Sequence, residues 1–334
     1  MFLGEPEIVC CGAPLYASVE EVLRRQADCF DLVYLHRVAI ASRYIALARQ
    51  YMPRARILYS VADLHHVRLE RQAAIEQRPE LLVASRRKRL EECMAAWSAD
   101  AVLTHSAEEV EVLRRAVPDV AVYRVPWHVP VHDAAVPFSA RHGVAFIGGY
   151  RHAPNVDAAR WLVQSVMPLV WRQRPKITCL LVGSDMPPAV QRLAGPGVRL
   201  LGQVGDLAEV LDRVRLTVAP LRYGAGVKGK VLDSLAAGVP CAMTPVAAEG
   251  LALPASLQSL VGHDAAALAA IICHLHQNAV AQRNAMRAGL AYIRTCHDDA
   301  AVMSALRAAV EGRSPPDLHV AQADGQRLLG HARG

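Results

Sequence analysis

The sequence predicts an α/β protein of two doubly wound lobes, each a parallel sheet flanked by helices, with a cleft between them. Three observations carry this. Short apolar runs alternate with helix-period segments along most of the chain, the rhythm of strand–helix–strand units and therefore of parallel pairing. The 334 residues are ample for two cores. A proline-containing stretch, Pro126–Pro137, divides the series in two and reads as an interdomain linker.

In the first series, apolar runs place strands at Glu7–Cys11, Leu32–Leu35, Arg56–Val61, Ala101–Thr104 and Val120–Val125. Helical periodicity falls between them at Val19–Gln26, Ala41–Tyr51, His66–Trp97 and Ala107–Val117. Ser106-Ala107-Glu108-Glu109 is a helix start, an N-cap serine followed by acids in the first turn. In the second series the strands are Val144–Ile147, Thr178–Val182, Val198–Leu200, Leu216–Ala219, Pro240–Met243 and Ser259–Val261. Its helices are expected at Val156–Gln173, Pro188–Leu193, Leu207–Arg213, Gly229–Ala237 and Ala265–Asn278, followed by a helical segment from Ala279 to Val310. These boundaries divide the chain into residues 1–137, 138–311 and a polar tail, 312–334, with too little apolar content to pack.

Composition narrows the classes. Apolar residues make up 53% of the chain, as buried parallel strands require, yet no run approaches the roughly 20 residues needed to span a bilayer. Eight cysteines occur without a C-x-x-C pair, which reads as reduced thiols in the cytosol rather than a metal site or disulfide framework. The net charge of +6 is unevenly shared: residues 1–137 hold 17 basic and 18 acidic side chains, the remainder 20 and 13. A basic second half suits an anionic ligand. Nucleic acid is not favoured, since no aromatic-interleaved basic stripe or reading module occurs. The run Ser85-Arg86-Arg87-Lys88-Arg89 reads first as a solvated helix face, with peripheral contact to acidic lipid or an anionic acceptor as the alternative.

The most informative segment runs from Ala219 to Pro240. It combines the end of a buried strand, the turn Arg222-Tyr223-Gly224-Ala225-Gly226-Val227, and a short helix closed by Gly238 and Pro240. Lys228 and Lys230 fall in the first turn of that helix, where cations oppose the helix dipole. A bound phosphate would compensate both lysines and the free N–H groups of the turn. Beside it, Gly148-Gly149-Tyr150-Arg151-His152 follows the first strand of this half, where doubly wound sheets bind ligands, and makes Arg151 a candidate diphosphate contact. Asn155, ahead of Val156-Asp157-Ala158, reads as an N-cap. In the first half, Leu35-His36-Arg37 and Asp63-Leu64-His65-His66-Val67-Arg68 are polar clusters at the ends of adjacent strands. No G-x-G-x-x-G directly follows a strand, which disfavours a dehydrogenase on the same scaffold, and no Walker loop, G-x-S-x-G, H-E-x-x-H or D-x-D pattern occurs.

The Ala219–Pro240 segment resembles the donor-binding region of group 1 (family 4) glycosyltransferases of the GT-B fold. Val144-Ala145-Phe146-Ile147-Gly148-Gly149, Pro154-Asn155-Val156-Asp157-Ala158, Leu180-Leu181-Val182-Gly183-Ser184, Gly202-Gln203-Val204-Gly205-Asp206-Leu207 and Thr244-Pro245 agree with it in order. The resemblance runs from about residue 30 to residue 255. It implies transfer of a sugar from a nucleoside-diphosphate donor to a polysaccharide, glycolipid or small-molecule acceptor, with retention at the anomeric carbon, no cofactor and no obligatory metal. It further implies that Gly148, Gly149, Arg151, Gly183, Val204, Tyr223, Gly224, Ala225, Gly226, Val227, Lys228, Lys230 and Asp233 line the donor site. Asp233 stands where the family has a glutamate gripping the ribose, and Gly202-Gln203-Val204 is the loop that reads the base. His36, Asp63 and His65 are the candidates for the reacting end, where a histidine can bind donor hydroxyls or steady developing charge.

Two departures stand out. Ala225 occupies the position of the first glutamate in the family's E-x7-E pair, and Met1–Cys11 does not supply the glycine-rich loop with which the fold normally opens. The first lobe is therefore expected to be short, with an open sheet edge or a partner or second copy covering it. The alternatives are a non-catalytic nucleotide-sugar-binding or interaction protein and a sugar-nucleotide epimerase of the same fold.

Overall fold

The computed structural model of the chain describes residues 9–132 and 136–314. Glu7 and Ile8 of the first expected strand, 133–135 of the expected linker, and 315–334 of the expected tail lie outside the described residues.

The first sheet contains β1 (Leu32–His36), β2 (Arg56–Val61), β3 (Ala101–Thr104) and β4 (Val122–Arg124), all parallel and in the order β1-β2-β3-β4. Its helices are α1 (Val19–Arg25), α2 (Val38–Tyr51), α3 (His65–Glu76), α4 (Leu81–Ser98) and α5 (Ala107–Ala116). β2 and β3 are buried on both faces, which is why they read as continuous apolar runs rather than alternating ones. The Ser106 hydroxyl accepts from the Glu109 N–H and caps α5 as its sequence foretells.

The second sheet contains β5 (Val144–Ile147), β6 (Cys179–Val182), β7 (Val198–Gly202), β8 (Leu216–Ala219) and β9 (Cys241–Met243), again all parallel, in the order β7-β6-β5-β8-β9. The chain winds outward from β5 through β6 to β7, then restarts on the other side of β5 at β8. That reversal opens a crevice beyond the carboxyl ends of β5 and β8. Around the sheet lie α6 (Ala153–Trp161), α7 (Met167–Gln173), α8 (Pro188–Gln191), α9 (Ala208–Leu211), α10 (Gly229–Ala236), α11 (Pro245–Ala248), α12 (Ala255–Gln258), α13 (Ala265–Gln277) and α14 (Ala279–Cys296). The last helix, α15 (Asp299–Glu311), crosses back to the first sheet. Its Ala305, Ala308 and Ala309 pack on Leu58, Leu103 and Tyr123, and the Tyr123 hydroxyl donates to the Arg313 carbonyl at 2.8 Å.

Several expectations are corrected. Residues 9–11 form no strand: no neighbouring strand pairs with them, and Gly12 and Pro14 follow at once. The expected His66–Trp97 helix is two helices, because Gln77 adopts a left-handed φ of 52° and Pro79 lacks the N–H to continue the ladder. The expected Val156–Gln173 helix begins at Ala153 and passes through a π-turn at Leu162–Val166, and His152, not Asn155, is its N-cap. Ser259–Val261 contributes only a bridge between Val261 and Met243, after the unanticipated α12. The Ala279–Val310 segment is two helices split by His297 and the N-cap Asp298; α14 stays with the second lobe and only α15 returns to the first. Within Ser85–Arg89, Ser85 is buried, its hydroxyl donating to the His66 carbonyl, while Arg86, Arg87 and Arg89 are exposed.

Candidate functional site

The crevice of the second lobe is built largely from backbone. A pocket of about 230 Å³ is lined by Ile147, Gly148, Gly149, Val182, Gly183, Ser184, Gln203, Val204 and Leu207, the ends of β5, β6 and β7 and the turns beyond them. Gly183 has φ +140°, and a Cβ there would stand 2.0 Å from the Gly148 carbonyl oxygen, so no other residue fits. Gly148 N–H donates to Val182 and Gly183 N–H to Gly202, which ties the three strand ends into one floor.

The two lysines complete that floor, though neither is a solvated cation in a first turn. Lys228 is the N-cap of α10, only 7% exposed, and its ammonium donates to the Gly226 carbonyl. Lys230 reaches across to α6, donating to Asn155 Oδ1 at 2.6 Å with its Nζ 4.5 Å from the centre of the Phe146 ring. A Cβ on Gly148 would lie 2.9 Å from that Nζ, so the ammonium sits directly beneath the pocket floor. Burial pulls Lys230 down to about 7 and Lys228 down to about 8. Glu249, Glu109 and Asp63 act in the opposite sense on Lys228, and Arg71 adds to the lowering. Asn155 therefore links the two segments: its amide donates to Gly149 while its carbonyl holds Lys230.

The glycine-rich turn is clamped by the first lobe. The Tyr223 hydroxyl donates to Glu76 of α3 at 2.6 Å. Arg71, also on α3, donates to the Gly224 carbonyl at 2.8 Å and holds Glu249 through both guanidinium nitrogens. Gly226, at φ +66°, lies so close to β2 that a Cβ would stand 2.8 Å from the Ala62 carbonyl oxygen. Ala225 and Val227 are half-buried in the same turn.

At the end of β2, Asp63 bonds His65 Nε2 at 3.2 Å and Arg68 Nε at 3.3 Å. Burial pushes the Asp63 carboxyl up, but His65 and Arg68 together outweigh it and hold the group below its ordinary value. Glu109 accepts from the Thr104 hydroxyl at 2.6 Å and the Leu64 N–H at 2.8 Å, and burial raises it to about 7. His36 stands apart at the end of β1, exposed, with Nδ1 3.2 Å from the Ser60 hydroxyl; burial, then Arg37 and His105, lower its pKa. His105 lies 5.5 Å from Trp127, whose ring covers the start of α10 beside Gly229.

Two expected donor residues sit differently from the rest. Arg151 is exposed and bridged to Asp185 at 3.1 Å; it borders a separate hollow shared with Glu76, Asp157, Arg160 and Arg222. Its charge is drawn to the surface by the aspartate rather than towards the lysines. Asp233 lies on the exposed side of α10; partial burial of its carboxyl raises its pKa, with His132 acting in the opposite sense. Gly148, Gly149, Gly183 and Val204 share one pocket, with Lys230 next to Gly148, whereas none of Tyr223 to Lys228 lines it.

Residues 141–278, the segment holding the pocket and both lysines, match the family model described as glycosyl transferases group 1. This lobe is similar to the glycosyl transferases of group 1. The whole chain has the two-lobed GT-B fold of such enzymes. It superposes on TarM with a TM-score of 0.71 at 12% identity, covering 87% of this chain and 57% of that one. Against the sucrose-phosphate synthase of Thermosynechococcus elongatus the TM-score is 0.66 at 19% identity, covering 98% and 87%. Against Anabaena HepE in complex with UDP it is 0.66 at 12% identity, covering 88% and 82%. A curated relative, an uncharacterized 44.6 kDa protein in the cps region of Klebsiella pneumoniae, is 23% identical over 194 residues, 54% of this chain and 50% of that protein. The chain thus spans about half the length of that relative.

The sequence alone does not reveal the partners of the second lobe's glycine-rich turn. Arg71, Glu76 and Glu249 look like ordinary charged helix-surface positions, and their pairing across the lobes has no sequence signature. The bidentate pair of Arg222 with Asp157, 65 residues apart, is equally silent in the sequence. Glu109 offers a weak cue, an acid three residues after a capping serine, but that pattern alone assigns it to the cap.

Proposed function

We propose that this chain transfers a sugar from a nucleoside-diphosphate donor to an acceptor hydroxyl on a polysaccharide, glycolipid or small molecule. The observation that carries the reading is the pair of lysines at the glycine-built crevice, Lys228 buried and Lys230 half-buried. Among the described residues, Lys228 donates to the Gly226 carbonyl and Lys230 has only the Asn155 carbonyl within hydrogen-bond reach. Burying ammonium groups so thinly compensated is costly, and a diphosphate laid over Gly148, Gly149 and the start of α10 would relieve that cost. The nucleoside would enter the pocket over Gly183, with its base against Val204 and its ribose towards Asp233.

In the reaction, the bond from the sugar's anomeric carbon to the diphosphate oxygen breaks, and its electron pair leaves with the phosphate. The acceptor oxygen forms the new bond on the same face, and its proton passes to the departing phosphate oxygen. Lys228, Lys230 and the α10 N-terminus would stabilise the charge that develops there, a task done by fixed positive groups and requiring no metal. His36, Asp63 and His65 stand at the opposing strand ends; His65, bonded to Asp63, would bind sugar hydroxyls.

Calorimetry with UDP, GDP and ADP, followed by donor-hydrolysis and transfer assays, tests this. The expected result is diphosphate binding that Lys230→Ala weakens far more than it weakens binding of the matching nucleoside. Equal losses for both ligands would make the lysines merely structural and overturn the reading. Tight binding with no turnover on any donor would select the non-catalytic binding protein instead.

A further inference from the structure

We propose that the outer face of α4 is a docking surface for an anionic lipid membrane. The helix has 18 residues, about 27 Å of length. One side packs into the first lobe through Ser85, Glu92, Ala95 and Ala96. The opposite side carries Val83, Leu90, Met94 and Trp97, exposed to 72%, 66%, 65% and 58%. At 3.6 residues per turn these four fall within an arc of about 60°, so they form one stripe along the whole helix. Large apolar side chains rarely gather on an exposed face without an occupant.

The charges beside the stripe select that occupant. Arg86 and Arg87 flank it on either side, and Arg89 follows. Among the described residues neither Arg86 nor Arg89 is ion-paired. The nearest acid on this face, Glu91, is taken by Arg87 and Lys88. A second copy of the chain packed here would bury the unpaired Arg86 against a stripe with no free acid to receive it, a costly arrangement. An anionic bilayer meets both demands. Trp97, Leu90 and Met94 enter the boundary between headgroups and acyl chains, while the arginines lie among the phosphates. No described helix is long and apolar enough to cross a membrane, so contact of this kind is peripheral. α4 packs on α3, which carries Arg71 and Glu76 into the cleft, so the membrane would lie on the acceptor side of the molecule.

Flotation of the full chain with vesicles tests this independently of sugar transfer. The vesicles are phosphatidylcholine alone or an equal mixture with phosphatidylglycerol. The expected result is binding to the mixed vesicles, at least about tenfold weaker on phosphatidylcholine alone and reduced by salt. Leu90→Ser with Trp97→Ser, and separately Arg86→Gln with Arg89→Gln, should each weaken it about tenfold while UDP affinity and the unfolding midpoint stay unchanged. Absence of vesicle binding, or binding that neither pair of substitutions moves, overturns the proposal. So does a concentration-dependent dimer in sedimentation that Leu90→Ser with Trp97→Ser dissolves.

Discussion

The carboxyl ends of the two sheets face one another across the cleft but are built from different materials. On the second lobe the surface is mostly main chain, glycines at the ends of β5 and β6 with two lysines beneath and beside them. On the first lobe it is side chains: Asp63 with His65 and Arg68, Glu109 with Thr104, and Arg71 and Glu76 reaching across. At Gly148 and Gly183 the backbone surface has no room for an added Cβ, whereas a side-chain surface can be retuned residue by residue. On the proposed function, the second lobe would be the fixed receptor for the common part of a donor, and the first the adjustable half that meets the variable chemistry.

The largest expected effect attacks the backbone side. Gly183→Ala puts a methyl group 2.0 Å from the Gly148 carbonyl at a φ that L-residues avoid. It should cost about 3 kcal/mol or more in denaturant unfolding. Ser184→Ala, next along the same pocket wall, should cost under about 1 kcal/mol. Similar losses for both would mean that the floor is not the rigid element claimed here.

Next comes Lys230→Ala, expected to weaken a nucleoside diphosphate by about 2 kcal/mol, or roughly thirtyfold, in calorimetry, with the nucleoside little changed. The pH dependence sharpens the same point. Because Lys230 is pulled down to about 7 in the free protein, it is mostly neutral at higher pH. A bound diphosphate favours the ammonium, so binding must take up a proton. Affinity should then fall as pH rises above about 7, approaching tenfold per unit for each proton taken up, and level off below. Lys230→Met should flatten that slope, and a slope unchanged in the variant would assign the proton elsewhere.

The smallest effect tests the clamp. Arg71 and Glu249 are partly solvated, so their coupling in a double-mutant cycle on diphosphate affinity should be about 1 kcal/mol or less. Arg71→Ala should exceed Glu249→Ala, because Arg71 also holds the Gly224 carbonyl. The reverse order would show that the ion pair, not the grip on the turn, is what the first lobe contributes.

Much of this was legible before any coordinates. Buried parallel strands announce themselves as apolar runs such as Arg56–Val61, and Gly183 and Gly226 mark places where only glycine fits. Helix ends were less legible where the deciding event is one residue's backbone, as at Gln77. Asn155 could not be assigned from its local pattern, since a capping residue and a ligand for a lysine 75 residues away look alike in sequence.

By itself the sequence determined the alternation of strands and helices, the position of the glycine turns and the presence of two lysines at the start of α10. These are local properties, set by periodicity and by the steric freedom of single residues. Only the tertiary structure decided that Lys228 is buried and Lys230 half-buried, that Asn155 holds the latter, that Arg151 turns to Asp185, and that α3 grips the turn. Burial and pairing depend on residues far apart in the chain. The desolvation that moves Lys230 to about 7 arises only when the sheet ends, α6 and α10 close around it.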